Sequence, residues 1–178
     1  MDIDRIKVGL SPIAASDVRL VILGSLPGDA SLAAESYYAH PSNQFWRLLG
    51  GALSIDLAGL DYAARLEALA AAKVGLWDVI GSARRRGSLD QAIRGAAANP
   101  LAQWVEGLKD LRAVAFNGKA AATAGGAALA GLSAVELVDL PSSSAAHTLS
   151  FDAKARCWSA LARYLEPRPP QSRLARRD

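Results

Sequence analysis

The stretch Arg19-Leu-Val-Ile-Leu-Gly-Ser-Leu-Pro-Gly28 decides the fold. Its first half is a continuous apolar run, which is typical of a strand buried on both faces of a parallel sheet. Its second half is a Gly/Pro loop, which must lie at the carboxyl edge of the sheet, where open α/β folds bind their ligands. The segment Tyr37-Tyr-Ala-His-Pro-Ser-Asn-Gln-Phe-Trp46 follows, with aromatic rings, an imidazole and an amide. Such a set suits a flat polar ring better than a metal ion or a triphosphate.

Strands and helices are predicted to alternate along the rest of the chain. The strands are predicted at 19–24, 74–80, 112–116 and 135–140, and the helices at 43–53, 61–73, 88–93, 100–108, 119–129 and 152–165. This alternation predicts a three-layer α/β/α sandwich with a central, mostly parallel four-stranded sheet. The loops after the strands then share one edge, and we expect residues 24–46, 81–86, 117–119 and 141–147 to meet there.

Length and charge predict one domain with a basic end. The 178 residues are 51% apolar, enough for a full core, and we expect a single domain over residues 1–166 and a basic, disordered tail over 167–178. Lys and Arg number 20 against 17 Asp and Glu, and clusters of Arg lie at 84–86 and in the tail. A polyanion partner and a solvated surface explain these clusters equally well.

The cysteine and histidine counts exclude several kinds of site. Cys157 is the one cysteine, which rules out an intrachain disulfide and a cysteine-based metal site, and we expect it to be buried in an apolar helix. With two histidines, His40 and His147, no structural zinc is expected. The sequence has no signal peptide and no apolar run of about 18 residues, so we expect a cytoplasmic protein that makes no membrane contact.

A series of motifs occurs in order between residues 20 and 150. They are Gly24-Ser-Leu-Pro-Gly28, His-Pro-x-Asn-x-Phe-Trp at 40–46, Gly75-Leu-Trp-Asp-Val79, Arg-x-Gly-Ser-Leu-Asp at 85–90, Phe116-Asn-Gly-Lys119 and Leu140-Pro-Ser-Ser-Ser-Ala-Ala-His147. Together they resemble the uracil-DNA glycosylase superfamily, and most of all its hypoxanthine-DNA (deoxyinosine) glycosylase branch. The resemblance implies a monomeric repair enzyme, nucleoid-associated when bound to DNA, that flips a deaminated base out and hydrolyses its glycosidic bond. It implies no metal and no cofactor. No lysine is placed to indicate a Schiff base, so strand cleavage is not expected.

The resemblance also assigns roles to individual residues. The mismatch-specific uracil branch has an asparagine in the first loop, and classical members begin the second motif with His or Asn; here Leu26 and Leu140 occupy these positions. In the hypoxanthine branch the Asn of His-Pro-x-Asn takes over, so Asn43 is the expected catalytic residue, and Tyr38 matches the aromatic on which the base stacks. The other expected base contacts are Ser25, Leu26, Gly28, His40, Phe45 and Asn117. The expected DNA contacts are Arg84, Arg85, Lys119, Ser142, Ser143, Ser144 and His147.

Several of these residues also have a simpler structural explanation. Asn43 is a good N-cap for the following helix, and Tyr38 could be part of the core. His40 could bond the loop backbone, which we favour over direct catalysis. The carboxylates nearest to the expected site are Asp29, Glu35 and Asp78. Of these, Asp29 is the rival of Asn43 for activating water.

Three other functions stay open on sequence alone. One is a glycosylase specific for uracil or mismatches. A second is a non-catalytic DNA-binding module of the same fold, which the leucines at positions 26 and 140 favour. The third is a small-nucleotide hydrolase, although the chain lacks the acidic metal ligands and the glycine-rich phosphate loop expected of one.

Overall fold

The computed structural model describes residues 5–167 and contains two sheets. In chain order the strands are β1 (Ile6–Val8), β2 (Leu20–Gly24), β3 (Val74–Asp78), β4 (Ile80–Arg84), β5 (Arg94–Ala98), β6 (Ala113–Asn117) and β7 (Glu136–Leu140). The helices are α1 (Asp29–Ala34), α2 (Phe45–Leu53), α3 (Tyr62–Ala71), α4 (Leu101–Glu106), α5 (Lys119–Leu129) and α6 (Phe151–Ser159).

The central sheet is parallel throughout, in the order β3-β2-β6-β7. Side chains of β2 alternate between its two faces. Leu20 and Ile22 join a core with α2, α3 and α6, whereas Val21 and Leu23 join a second core with α4 and α5. Each face of the sheet is therefore covered by helices, and the predicted three-layer sandwich is confirmed.

A second, antiparallel sheet, in the order β1-β4-β5, was not predicted. Strand β5 has the sequence Arg-Gly-Ala-Ala-Ala, with no β-branched or aromatic residue, and all of it is exposed. Its strand conformation therefore comes from pairing with β4 and not from its own preference. The helix predicted at 88–93 is only a 3₁₀ turn over Asp90–Ala92, and Ser88 does not cap it.

The C-terminal helix also differs from its prediction. It begins at Phe151, one residue earlier than predicted, and its cap is Ser150, whose Oγ accepts a hydrogen bond from the N–H of Ala153 at 3.3 Å. It changes to a 3₁₀ helix over Ala160–Tyr164. Cys157 is exposed, contrary to expectation, because it lies on the outer side of α6. Most of the predicted tail, residues 168–178, lies outside the described residues.

A pair of neighbouring glycines in α5 gives the first testable prediction. A Cβ at Gly125 would lie 2.4 Å from Cε1 of Phe116, whereas a Cβ at Gly126 would meet nothing within 4 Å. Gly125→Ala should therefore lower the free energy of unfolding by about 1–3 kcal/mol through overpacking. Gly126→Ala should raise it by up to about 1 kcal/mol, because alanine is the better helix former. Urea unfolding measures both variants, and changes of the same sign would contradict this account of the packing.

Candidate active site at the carboxyl edge of the central sheet

The loops after the parallel strands meet at one edge, as predicted. The backbone N–H of Gln44 donates to the carbonyl oxygen of Ser143 at 3.0 Å. The N–H of Ser143 in turn donates to Oδ1 of Asn117 at 2.8 Å. At the other side, the N–H of Ile80 donates to the carbonyl oxygen of Ser25 at 2.9 Å. The segment that holds Asn43 is thus joined to the loops after β6 and β7, and the loop after β2 is joined to the start of β4.

Tyr38 has the geometry of a stacking platform. Its ring is stacked on Phe45 with the centroids 3.7 Å apart and the planes 8° from parallel. Its φ of 53° is in the left-handed region, which is uncommon for an aromatic residue and is concentrated at functional sites. Phe45 is fully buried, with Trp46 and Trp158 edge-on to it. Phe45 therefore supports the Tyr38 ring, which corrects its predicted role as a direct base contact.

Asn43 is half-buried just before α2 and contributes to the start of that helix. Its Oδ1 accepts a hydrogen bond from the N–H of Phe45 at 3.0 Å, but this capping contact comes from the residue before the N-cap, because the N-cap of α2 is Gln44 and not Asn43 as considered from the sequence. A carbonyl oxygen has two lone pairs, so Oδ1 can accept a second hydrogen bond. Within residues 5–167, the amino group of Asn43 makes no hydrogen bond. The capping contact therefore does not use up the polar capacity of the side chain.

His40 is exposed and belongs to the loop structure. Its Nδ1 accepts from the backbone N–H of Ser42 at 3.2 Å and lies 2.8 Å from the Ser42 hydroxyl. These contacts are the backbone-bonding role that we favoured over direct catalysis. They leave Nε2 of the ring at the surface for other contacts.

Asp78, at the end of β3, places a buried carboxyl group beside Tyr38. A Cβ at Gly24 would lie 2.5 Å from Oδ1 of Asp78 and 2.9 Å from the Tyr38 hydroxyl, so both groups converge on this glycine. Asp78 is 3% exposed. Within the described chain, its Oδ2 and the Tyr38 hydroxyl are buried without a hydrogen-bond partner. Burial, and then repulsion by Asp90, raise the pKa of Asp78 to about 7, although Arg85 opposes the shift.

Arg85 supports the loop after β2, and its position contradicts the predicted contact with DNA. Its side chain is fully buried. Nη1 donates to the carbonyl oxygen of Leu26 at 3.1 Å, Nη2 donates to that of Pro27, and Nε donates to that of Gly87 at 3.1 Å. The guanidinium is committed to backbone oxygens, so we remove Arg85 from the set of phosphate contacts.

The loop after β2 is covered by the β4–β5 connection. The Ser25 hydroxyl donates to Oδ1 of Asp90 at 2.6 Å, and Oγ of Ser88 accepts from the N–H of Asp29 at 3.0 Å. A Cβ at Gly28 would lie 3.3 Å from Oγ of Ser88, so this position needs a small residue. The side chain of Leu26 is only 5% exposed, so only its backbone is left for the predicted contact with the base.

Asp29 does not fit the role of a rival water activator. Its carboxylate forms an ion pair with Lys7 in the first turn of α1, and the pair is partly exposed to solvent. Asp78 is the carboxyl group that lies against Tyr38. Asp78, and not Asp29, is therefore the carboxyl group to consider for a role in catalysis.

Asn117 and Ser143 bind each other, which corrects the predicted DNA contact of Ser143; the base contact of Asn117 stays a prediction. Nδ2 of Asn117 donates to Oγ of Ser143 at 2.9 Å, while its Oδ1 accepts from the backbone of the same residue. Ser143 is buried, so its hydroxyl cannot approach a phosphate in this conformation. Ser142 and Ser144 are half-buried, and each accepts a backbone N–H from two residues further on. The pair of Asn117 and Ser143 fixes the loop after β7 against the end of β6.

Lys154 links the segment before α2 to the loop after β7, and it was not among the site residues predicted from the sequence. It is 1% exposed, and Nζ donates to Oε1 of Gln44 at 3.0 Å and to the carbonyl oxygen of Ser144 at 2.9 Å. Burial lowers its pKa. It lies four residues before the buried Trp158 and so shares its helix face. A lysine on the buried face of a predicted amphipathic helix is the sequence signal that could have identified this residue.

Exposed basic side chains surround the edge. Arg84 on β4, Lys119 at the first position of α5 and His147 after β7 are all exposed. In the antiparallel sheet, Arg84 lies directly opposite Arg94 of β5. These positions are compatible with phosphate contacts.

One groove in the described part of the chain lies apart from this edge. A shallow groove of about 360 Å³ runs between the end of α2, residues 54–58 and Phe151, and none of the predicted site residues lines it. No group of three or more His, Cys, Asp or Glu side chains in residues 5–167 could hold a metal ion. None of the helices in that range is long and apolar enough to cross a membrane.

Comparison with known proteins agrees with the motifs and the geometry. Two relatives are named hypoxanthine DNA glycosylase. One, from Methanosarcina barkeri (strain Fusaro), is 42% identical over 113 residues, covering 64% of this chain and 72% of the relative. The other, from Methanosarcina acetivorans, is 37% identical over 116 residues, covering 65% and 73%.

A structural comparison and a family model both match the chain to uracil DNA glycosylases. A solution NMR structure from Methanosarcina acetivorans, described as a candidate uracil DNA glycosylase, superposes with a TM-score of 0.82 at 35% identity. The match covers 92% of this chain and 100% of that one. The family model for the uracil DNA glycosylase superfamily matches residues 12–164. The chain therefore belongs to the uracil DNA glycosylase superfamily.

Proposed function

We propose that the protein is a monofunctional DNA glycosylase that removes hypoxanthine from deoxyinosine in DNA and leaves an abasic site. One observation carries the proposal. A single short segment at the sheet edge holds both the Tyr38 ring, which is stacked on Phe45, and the Asn43 amide. The names of the two relatives support the choice of base.

The base must leave the helix before it can react. Flipping a nucleotide out of the duplex costs a few kcal/mol, and less for a mispaired base. We assign the flipped purine to the face of the Tyr38 ring opposite Phe45, because Phe45 occupies the other face. Stacking of a base on an aromatic side chain contributes about 1–3 kcal/mol. This platform offsets part of the cost of flipping.

Hydrogen bonding distinguishes hypoxanthine from adenine. Hypoxanthine presents O6 and N7 as acceptors, so the pocket needs donors there. The amino group of Asn43 and the backbone N–H groups of Ser25, Leu26 and Gly28 are the donors that we assign to this role. Adenine places its own amino group against these donors and leaves buried groups unpaired, which discriminates strongly against it.

Bond cleavage separates charge between the sugar and the base. Positive charge develops on the sugar and negative charge on the base, and fixed dipoles aimed at the base stabilise it. We assign the second lone pair of Asn43 Oδ1 to the water that attacks C1′. An amide is a poor base, which is sufficient when the transition state is nearly dissociated. Lys154 donates to Gln44 and Ser144, so we propose no Schiff base and no strand cleavage.

The remaining contacts hold the DNA backbone. We assign phosphate contacts to the exposed Arg84, Lys119 and His147, together with Ser142 and Ser144. A monomeric, cytoplasmic protein that is nucleoid-associated when bound to DNA also stays a prediction. Size-exclusion chromatography with light scattering tests the first of these properties.

Base preference is tested with matched oligonucleotides. Single strands that carry one inosine, uracil, xanthine or adenine are incubated with the protein and then treated with alkali, which breaks the strand at abasic sites. We expect breaks at inosine and none at adenine. Breaks at uracil alone would indicate a uracil-specific enzyme, and binding without breaks at any base would indicate a non-catalytic DNA-binding module.

The loop after β7 offers almost nothing to fill the gap left by a flipped base. Ala145 and Ala146 are exposed and small, whereas flipping and bending proteins often insert a bulky apolar wedge. We expect activity to be higher on single-stranded or mismatched inosine than on a stable inosine–cytosine pair. Ala145→Leu should raise the rate on the stable pair more than on single strands. Equal rates in all contexts, unchanged by this substitution, would mean that another element acts as the wedge.

A further inference from the structure

The buried carboxyl group of Asp78 has no structural explanation in its own hydrogen bonds. Its Oδ2 makes none within residues 5–167, although the atom is inaccessible to solvent. The side-chain amide of Asn99 donates to the backbone oxygen of Asp78 at 2.8 Å and leaves the carboxyl group unpaired. A buried polar atom without a partner destabilises a fold, so its presence at a sheet edge that binds ligands points to a role in function.

The surroundings of this carboxyl group favour its protonated form. The groups that act on it are Asp90, Arg85, Tyr37 and Tyr38. Asp90 repels a second negative charge, and Arg85, the one cation of the set, is already committed to backbone oxygens and lies 3.9 Å from Asp90. The two tyrosines are neutral, because burial raises the pKa of each. At neutral pH a substantial fraction of Asp78 therefore carries a proton.

The departing purine leaves more readily when it takes up a proton, and the amide and backbone donors assigned above do not transfer theirs. Negative charge develops on the base as its bond to the sugar breaks. The amide of Asn117 donates one N–H to the hydroxyl of Ser143 and has no proton to transfer, and Leu140 is apolar. Asp78 lies against the hydroxyl end of the Tyr38 ring, on which the proposed base stacks. A protonated carboxyl group in this position is a candidate donor to the edge of the stacked base.

We propose that Asp78 is the general acid that protonates the departing purine. The step rests on the proposed function. The bond between C1′ and N9 breaks and its electron pair stays with the purine, while a ring nitrogen of the base takes the proton from the carboxyl group of Asp78. Water then adds to C1′ and loses a proton, which restores the protonated carboxyl group. The sum is hydrolysis of one N-glycosidic bond with no other reactant.

The sign of the pH dependence follows from the active form. Asp78 acts while protonated, so the single-turnover rate should be level well below pH 7 and should fall about tenfold per pH unit above it. Were Asp78 a general base instead, the rate would rise with pH over the same range. The wild-type profile on a single-stranded inosine oligonucleotide separates the two roles without any variant. A rate that rises or stays level between pH 6 and 9 would overturn the proposal.

Two substitutions sharpen the test. Asp78→Asn keeps the shape and removes the transferable proton, so the rate at pH 6 should fall by about 10²- to 10⁴-fold and no longer depend on pH. Glu106→Gln, which removes an exposed charge from α4, serves as the matched control and should retain the wild-type rate and profile. Asp90→Asn removes the repulsion and should move the fall in rate to lower pH.

Stability shows whether Asp78→Asn is folded. A folded-state pKa above the unfolded value means that the folded protein binds more protons, so ionisation of Asp78 destabilises the fold as pH rises. The variant should therefore melt no lower than the wild type at pH 8. An Asp78→Asn rate within threefold of the wild type at pH 6 would overturn the inference and leave the proposed function standing. A wild type that releases no hypoxanthine at any pH would overturn both.

Discussion

Replacement of Asn43 by alanine is expected to cut the rate of base release from inosine-containing DNA by about two orders of magnitude or more. This is the size of effect found when one preorganised polar contact is lost from a transition state. The amide is held at the start of α2 by its bond to the N–H of Phe45, so its free amino group has a fixed direction. DNA binding should survive, because phosphate contacts supply much of the affinity.

The same side chain also accepts a hydrogen bond from the first N–H of α2, and a second variant separates the two roles. Asn43→Ala should lower the free energy of unfolding by about 1 kcal/mol, because the contact to Phe45 is lost. Serine is as good a cap as asparagine but has no amide, so Asn43→Ser should keep the stability and lose the activity. Single-turnover rates and urea unfolding are measured on both variants. Full activity in the two variants, with a loss of stability in the alanine variant alone, would reduce Asn43 to a cap.

Tyr38→Ala should lower the rate on inosine by about 5- to 150-fold, which corresponds to the free energy of stacking one base on an aromatic ring. The ring is held in place by Phe45, and α2 holds Phe45 in the core, so the platform exists before DNA binds. Tyr38→Phe keeps the ring and should lose less of the rate than Tyr38→Ala does.

The rate is measured in single turnover with enzyme in excess, so that weaker binding does not hide a change in chemistry. Urea unfolding of both Tyr38 variants serves as the control for folding. An alanine variant that is folded and retains more than half of the wild-type rate would mean that the base stacks elsewhere.

The sequence predicted the central sheet because each of its strands carries its own signal. Residues 20–24 and 113–117 are continuous apolar runs bounded by Gly, Asn or charged residues, and they need no partner to be identified. Strand β5 has no such signal, since Arg94-Gly-Ala-Ala-Ala98 is extended only because β4 pairs with it. The antiparallel sheet therefore could not be predicted from local sequence.

The position of the site was predictable from the sequence, but the side chains that face into it were not. Loops after parallel strands share an edge, which any correct assignment of strands implies. Arg85 and Ser143 looked like surface residues because charged and hydroxyl side chains usually are. Their partners are backbone oxygens of residues 26, 27 and 87 for the first and the amide of Asn117 for the second, and these come close only in the folded chain.

Release of free hypoxanthine is the measurement that tests the central claim most directly. An inosine-containing single strand is incubated with the wild-type protein, and the free base is quantified by liquid chromatography with mass spectrometry, in parallel with Asn43→Ala. The account predicts one hypoxanthine released per abasic site for the wild type, at a rate about 100-fold or more above that of the variant. Absence of free hypoxanthine from a wild-type reaction in which the DNA is bound would contradict it.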